Sequence, residues 1–318
     1  MAGAERILSI DGGGIRGVIP AMVLNHIEEC TGKPIAELFE VIAGTSTGGI
    51  LALGLTVPGG EGGGPRYTAA QLLELYEKEG ERIFPQDFFT KIRQLSDEKY
   101  PAQGLEEVLG EKFGETRLRE ALTGVMVTAY DIERRSPIFF RSLRAEEDPE
   151  GYDFPMAKVA RATSAAPTYF EPLRLDAGPL FADYTLVDGG VFANNPGMCV
   201  FVDSYAGEAD DDTLMVSLGT GELTRPLPYE KAKDWGLLSW APNVLDVVFD
   251  GVSDTVNYQL SRIVGESYYR FQTELRRAND ELDDASERNL DYLKLEGEQL
   301  INDNAKKLDQ LCERLIAP

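Results

Sequence analysis

Three short segments of this 318-residue chain set reactive side chains among glycines. Gly44-Thr45-Ser46-Thr47-Gly48 is a G-x-S-x-G, with a short apolar run before it and a helical pattern after it, the context a nucleophile elbow requires. A sharp strand-to-helix turn forces Ser46 into a strained conformation, and side chains at the flanking positions, Gly44 and Gly48, would block it. Asp11-Gly12-Gly13-Gly14-Ile15-Arg16-Gly17 lies between another apolar run and another helical pattern, so its backbone N–H groups face any negative charge at that helix end. Leu186-Val187-Asp188-Gly189-Gly190 carries a carboxylate out at the end of a third apolar run, again with no bulk beside it.

An acyl-transfer serine needs a base, and no histidine follows Ser46. The single histidine, His26, sits on the apolar stripe of the helix after the first glycine turn, about 16 Å down it at ~1.5 Å per residue. If that turn faces the reacting carbonyl, His26 is out of reach and reads as a packing residue. Asp188 is then the candidate base. Its reference pKa of ~3.9 is low for the task, so it would need a short, pre-aligned contact with the serine hydroxyl and some desolvation. Gly12, Gly14 and Gly17 also satisfy the dinucleotide pattern G-x-G-x-x-G. The next strand, however, ends in Gly44–Gly48 rather than in an acidic residue for a ribose, and Asp11 would repel a pyrophosphate.

Composition narrows the classes further. One histidine excludes metal sites built on two or three. A formal charge of −23 opposes binding to a phosphate backbone, so nucleic acid is not an expected partner. The acidic residues concentrate in Glu208–Asp212 and Asp280–Glu287, and the chain has 20 Arg against 11 Lys. A saline habitat or a GC-rich genome would each account for that. Cys30, Cys199 and Cys312 are far apart and odd in number, which suggests neither a disulfide framework nor a zinc site and fits a reducing compartment. No signal-peptide pattern and no apolar run of about 18 residues occurs, so a cytoplasmic protein in peripheral contact with membranes is expected.

The elements that must position these residues alternate strand and helix. Arg6–Asp11 and Phe39–Gly44 read as buried strands, with an apolar stripe from Ile15 to Cys30 between them, which implies a right-handed parallel crossover. Thr47–Thr56, Thr68–Gly80, Gln103–Lys112 and Pro196–Tyr205 read as helices, and Gly124–Asp131, Pro137–Arg141, Leu186–Gly190 and Thr213–Gly219 as strands. Pro58–Pro65 is a glycine-rich connector without the ending of a phosphate loop. Val244 to Leu260 marks one late amphipathic helix and Leu290 to Leu315 another. The apolar clusters Phe84, Phe88 and Phe89, and Trp235, Leu237, Leu238 and Trp240, suit core packing or the rim of an acyl pocket. With no repeat and no clear linker, residues 1–318 form a single α/β domain, a catalytic core over about 5–205 followed by a strand and helices over about 206–318.

The combination DGGGIRG, GTSTG and DGG resembles the patatin-like phospholipase family. Tyr76–Pro85, Phe113–Leu122, Ala160–Pro172 and Asp188–Pro196 extend the resemblance through most of the chain, and no motif residue departs from the family pattern. The resemblance implies a three-layer α/β/α fold with a mostly parallel central sheet, and hydrolysis of acyl esters of lipids without calcium or any other cofactor. Carried over, Ser46 is the nucleophile and Asp188 the base; Gly13 and Gly14 supply oxyanion N–H groups, with Arg16 holding the loop or adding positive potential. Gly12, Gly17, Gly44, Gly48, Gly189 and Gly190 are the motif glycines. A phospholipid or other acyl-ester lipid is the implied partner. The rival readings are a storage or binding protein with minor esterase activity and a nucleotide-activated effector that degrades membranes.

Overall fold

The computed structural model describes residues 6–59, 61–83, 100–178, 182–204, 213–222 and 226–317. One eight-stranded sheet organises them: β1 (Arg6–Ile10), β2 (Val41–Gly44), β3 (Gly124–Asp131), β4 (Ser136–Arg141), β5 (Leu173–Leu175), β6 (Tyr184–Asp188), β7 (Leu214–Leu218) and β8 (Tyr268–Phe271). Their order is β5-β6-β3-β2-β1-β7-β8, with β4 also pairing β3. The run β3-β2-β1-β7-β8 is parallel, whereas β4 and β6 are antiparallel to β3.

Residue alternation shows that both faces of the sheet are covered. Leu8, Ile10, Ile42, Val125, Val127 and Val216 enter the main apolar core, while Ile7, Val41, Ala43, Met126 and Met215 enter a second, smaller one. Successive strand side chains point to opposite faces, so a strand buried on both needs a helix layer on each. On the larger side lie α1 (Val18–Thr31), α2 (Thr47–Thr56), α3 (Ala69–Ile83), α4 (Gln103–Phe113) and α5 (Met156–Thr163). The smaller core is closed by α6 (Gly197–Ser204), with Leu260 and Val256 of α7 (Leu237–Ile263). This is the three-layer α/β/α arrangement.

Several expectations need correction. The apolar pattern from Leu290 to Leu315 is two helices, α8 (Glu287–Asp303) and α9 (Ala305–Ile316), because Asn304 leaves helical geometry at φ −109° and ψ 14°. The strands β5 and β8 carry no periodic signal, being three and four residues long. On α7 the apolar stripe is packed at Val256 and Leu260 and exposed at Val244 and Val248. Cys30 and Cys312 form a disulfide, leaving Cys199 as the free cysteine. The expectation of unpaired cysteines fails because packing of α9 on α1 brings together two residues 282 apart in sequence. The reducing compartment drawn from it loses its basis. Phe84, Phe88, Phe89 and Glu208–Asp212 lie outside the described residues. Among those described, no helix is long and apolar enough to cross a membrane.

Candidate active site

The sheet itself brings Ser46 and Asp188 together. A strand has two edges, and β4 occupies one edge of β3 along Met126–Asp131, so β2 and β6 must share the other. β2 runs parallel to β3 and ends with Gly44 opposite Val127; β6 runs antiparallel and ends with Asp188 opposite Ala129. Two strand ends thus meet head to head in one lane, with Thr128 between them. Ser46 follows the first end and Asp188 closes the second.

Thr128 secures the junction. Its Oγ1 lies 2.6 Å from Thr45 Oγ1, which in turn donates to the Ala193 carbonyl at 2.6 Å. Thr45 has a single proton, and the carbonyl takes it, so Thr128 is the donor in the first bond. A side chain at Gly189 would collide with this same hydroxyl.

The elbow is sterically locked. Ser46 stands at φ 54° and ψ −123°, outside the regions that L residues favour. A Cβ at Gly44 would collide with the Gly48 carbonyl, and one at Gly48 with the Ile10 carbonyl, so neither position admits another residue without movement of the backbone. The Ser46 N–H donates to Thr163 Oγ1 at 2.8 Å, fixing the turn from α5.

Asp188 lines the same cavity as Ser46 and accepts the Gly190 N–H at 2.7 Å. It is 3% exposed, and burial drives its pKa up to about 7 against the lowering pull of the Ser46 hydroxyl and the Gly190 N–H. A carboxylate so placed is a competent base at neutral pH, which its reference value would not allow.

The glycine turn faces the pair. Gly12 donates its N–H to the Asn194 carbonyl at 2.9 Å, Ile15 to Leu282 at 2.8 Å and Arg16 to Gly13 at 3.1 Å, whereas the N–H groups of Gly13 and Gly14 have no acceptor among the described residues. Both glycines line the cavity that holds Ser46 and Asp188. Gly14 at φ 55° has the Leu282 carbonyl against it, where a side chain would collide. Arg16 is buried and turned away from the cavity, its Nε 3.4 Å from the Gly13 carbonyl and its Nη1 3.5 Å from that of Gly221.

The cavity has about 760 Å³ of empty space and opens to solvent. Apart from the reactive groups its wall is mainly apolar, with Ile15, Ile50, Leu75, Ile83, Phe170 and Phe249 contributing. His26, midway along α1, lines no part of it, and neither do Trp235 and Trp240, which instead stack edge to face on each other at 5.3 Å. Sequence reasoning assigned no role to Thr128, Thr163, Asn194 or Leu282. The one available signal for Thr128 is an aliphatic hydroxyl inside the apolar run of Gly124–Asp131.

Comparison with known proteins agrees with this geometry. Residues 8–198 match the family model described as patatin-like phospholipase. Patatin-like protein 2 of Arabidopsis thaliana is 33% identical over 93% of this chain and 82% of its own length. Patatin-1-Kuras 2 of Solanum tuberosum is 32% identical, over 97% and 90% respectively. The crystal structure of VipD from Legionella pneumophila aligns with 94% of this chain and 67% of its own at a TM-score of 0.39 and 15% identity, too slight a likeness to bear on the site. With a strained serine, a buried carboxylate and two unengaged glycine N–H groups around one apolar cavity, and with such relatives along nearly its whole length, the chain belongs to the patatin-like phospholipase family.

Proposed function

We propose that this protein is a serine lipid acyl hydrolase, of phospholipase A, lysophospholipase or esterase type, that works through a Ser46–Asp188 dyad and an acyl-enzyme. Family membership supports lipid acyl hydrolysis in general. The observation that carries the finer reading is the meeting, in one cavity, of a strained Ser46 and a buried Asp188 whose pKa is raised to about 7 by burial against the pull of the serine hydroxyl.

Asp188 accepts the Ser46 proton as Oγ attacks the ester carbonyl. Negative charge develops on the carbonyl oxygen, where the unengaged N–H groups of Gly13 and Gly14 receive it at the start of a helical segment. Because they are fixed before the reaction, they need no reorganisation during it. Arg16 acts from behind by holding the Gly13 carbonyl, which aims the next N–H forward. Collapse of the tetrahedral species breaks the ester C–O bond, and Asp188 returns the proton to the leaving alkoxide. Water then enters and attacks the acyl-Ser46 carbonyl as Asp188 takes its proton; collapse of this second tetrahedral species breaks the C–Oγ bond, Asp188 returns the proton to Ser46 Oγ, and the fatty acid leaves. No step requires a metal ion, so hydrolysis is calcium-independent.

The apolar cavity takes the acyl chain, and Phe249 on α7 links it to an exposed strip of the same helix, Trp240, Val244, Val247 and Val248. That strip supports transient contact with a micelle or membrane surface. Ser46→Ala and Asp188→Asn are each expected to abolish hydrolysis of a p-nitrophenyl acyl ester while leaving the circular dichroism spectrum unchanged. Retained turnover in either variant would remove the dyad.

A further inference from the structure

Behind the glycine turn lies a second cavity, with about 460 Å³ of empty space, whose wall is polar. Asp11, Glu222, Asp250 and Asp254 line it; among the described residues Arg16 is the cation on the wall, and Arg270 stands behind it, paired with Asp11. The two cavities are neighbours. Asn194 lines both, and α7 crosses from one to the other, giving Phe249 to the first and Asp250, Ser253 and Asp254 to the second. The Asn194 side chain is close to the reaction centre: a Cβ at Gly12 would collide with its Oδ1 and lie 3.4 Å from Ser46 Cβ. Its Nδ2 donates to Ser253 Oγ at 3.1 Å, which ties α7 to the turn.

Among the described residues the lining of the polar cavity is predominantly acidic. Asp11 is 2% exposed; its Oδ2 accepts from Arg270 at 2.7 Å, but its Oδ1 is buried without a partner. A buried acceptor left unsatisfied is costly, and the cost falls when a donor or positive charge comes near. Glu222 is raised from its ordinary value, first by burial and then by Asp254, with Asp250 and Asp11 adding to this and Arg270 pulling it back. Asp250 is raised by burial and by Asp254, although Arg16 pulls it back. Glu222 and Asp250 therefore feel the negative charge of their neighbours, and a cation among them would relieve it. Among the described residues no three acidic, histidine or cysteine side chains are arranged to hold a metal ion. An organic ammonium matches the charge of this wall.

We propose that this cavity receives the ammonium head of the ester whose acyl chain fills the apolar cavity, so that the enzyme prefers lipids with a cationic amine in the alcohol portion. The proposal rests on the reading of Ser46 as the nucleophile. The reacting carbonyl would then lie at Gly13 and Gly14, the chain would run towards Ile50 and Leu75, and the head would pass Asn194 to Glu222 and Asp254.

The test compares lauroylcholine with 3,3-dimethylbutyl laurate, an uncharged ester of nearly the same shape, at low ionic strength. The difference in their intrinsic reactivity is the same in every variant, so the informative quantity is the change in the ratio of their kcat/KM values. Glu222→Gln/Asp254→Asn is expected to lower that ratio roughly tenfold, with hydrolysis of the neutral ester within twofold of wild type. A control pair on exposed residues elsewhere, Glu298→Gln/Glu313→Gln, removes the same charge and is expected to leave the ratio unchanged. An unchanged ratio in the first variant, or an equal fall in both, would overturn the proposal. If the first variant loses neutral-ester turnover as well, inhibition of the wild type by tetramethylammonium decides: competition supports the site and its absence overturns it. Failure of the underlying reading looks different, because turnover of both esters would then survive Ser46→Ala.

Discussion

At the residue scale the chemistry depends on what burial does to one carboxylate. Asp188 must be ionised to accept a proton, and its pKa stands at about 7, so kcat/KM is expected to rise with pH and level off above that value. A profile flat from pH 5 to 9 would remove Asp188 from the role of base. The same shift has a consequence for stability. Between the reference 3.8 and about 7 the unfolded chain has lost this proton while the folded chain keeps it, so the group makes folding less favourable as pH rises through that window. Asp188→Asn abolishes the titration, and its melting temperature relative to wild type is expected to increase from pH 4 to pH 8. Ser46, Asp188 and the motif glycines were legible in the sequence because their constraint is local: a turn admits no side chain at Gly44 or Gly48, and those absences are written next to the serine. Thr128 was not, since its neighbours Thr45 and Gly189 come from distant parts of the chain.

At the element scale, the meeting of β2 and β6 on one edge of β3 explains how a serine and an aspartate so far apart in sequence come to lie side by side. Thr128 acts as a positioning residue through Thr45 and Gly189. Thr128→Val keeps the shape and removes the hydroxyl, and a small misplacement of the pair is expected to lower kcat between about tenfold and a hundredfold. KM should change little, and Thr128→Ser should restore most of the rate. Equal loss in both variants would indicate packing rather than the hydrogen bond. Long periodic helices and buried strands such as Thr47–Thr56 and Gly124–Asp131 were legible from apolar spacing, with ends matching the structure. The split between α8 and α9 was not, because the leucine spacing continues across Asn304 although the backbone does not. The strands β5 and β8 escaped because a few residues cannot show a period.

At the scale of the whole molecule, the C-terminal helices are fastened to the start of the catalytic core. The Cys30–Cys312 disulfide joins α1 to α9, and Arg6 at the head of β1 donates through Nη1 to the Leu315 carbonyl at 2.8 Å. A crosslink closing so long a loop typically contributes about 2–4 kcal/mol. Cys312→Ser is therefore expected to melt several degrees below wild type without reductant, and a reductant should bring wild type down to the variant. Equal melting temperatures without reductant would show that the crosslink contributes nothing. Charge is also a property of the whole molecule: −23 still argues against nucleic acid, and the four carboxylates behind the glycine turn give part of that charge a place beside the reaction centre.

The central claim is that the acyl group passes through Ser46. Wild-type protein mixed with a p-nitrophenyl acyl ester, quenched within the first turnover and digested for peptide mass mapping, measures this directly. The account predicts a single added acyl group on the peptide carrying Ser46, formed at the rate of the p-nitrophenol burst and absent from Asp188→Asn. An acyl group on any other residue, or unimpaired turnover with Ser46 never labelled, would contradict it.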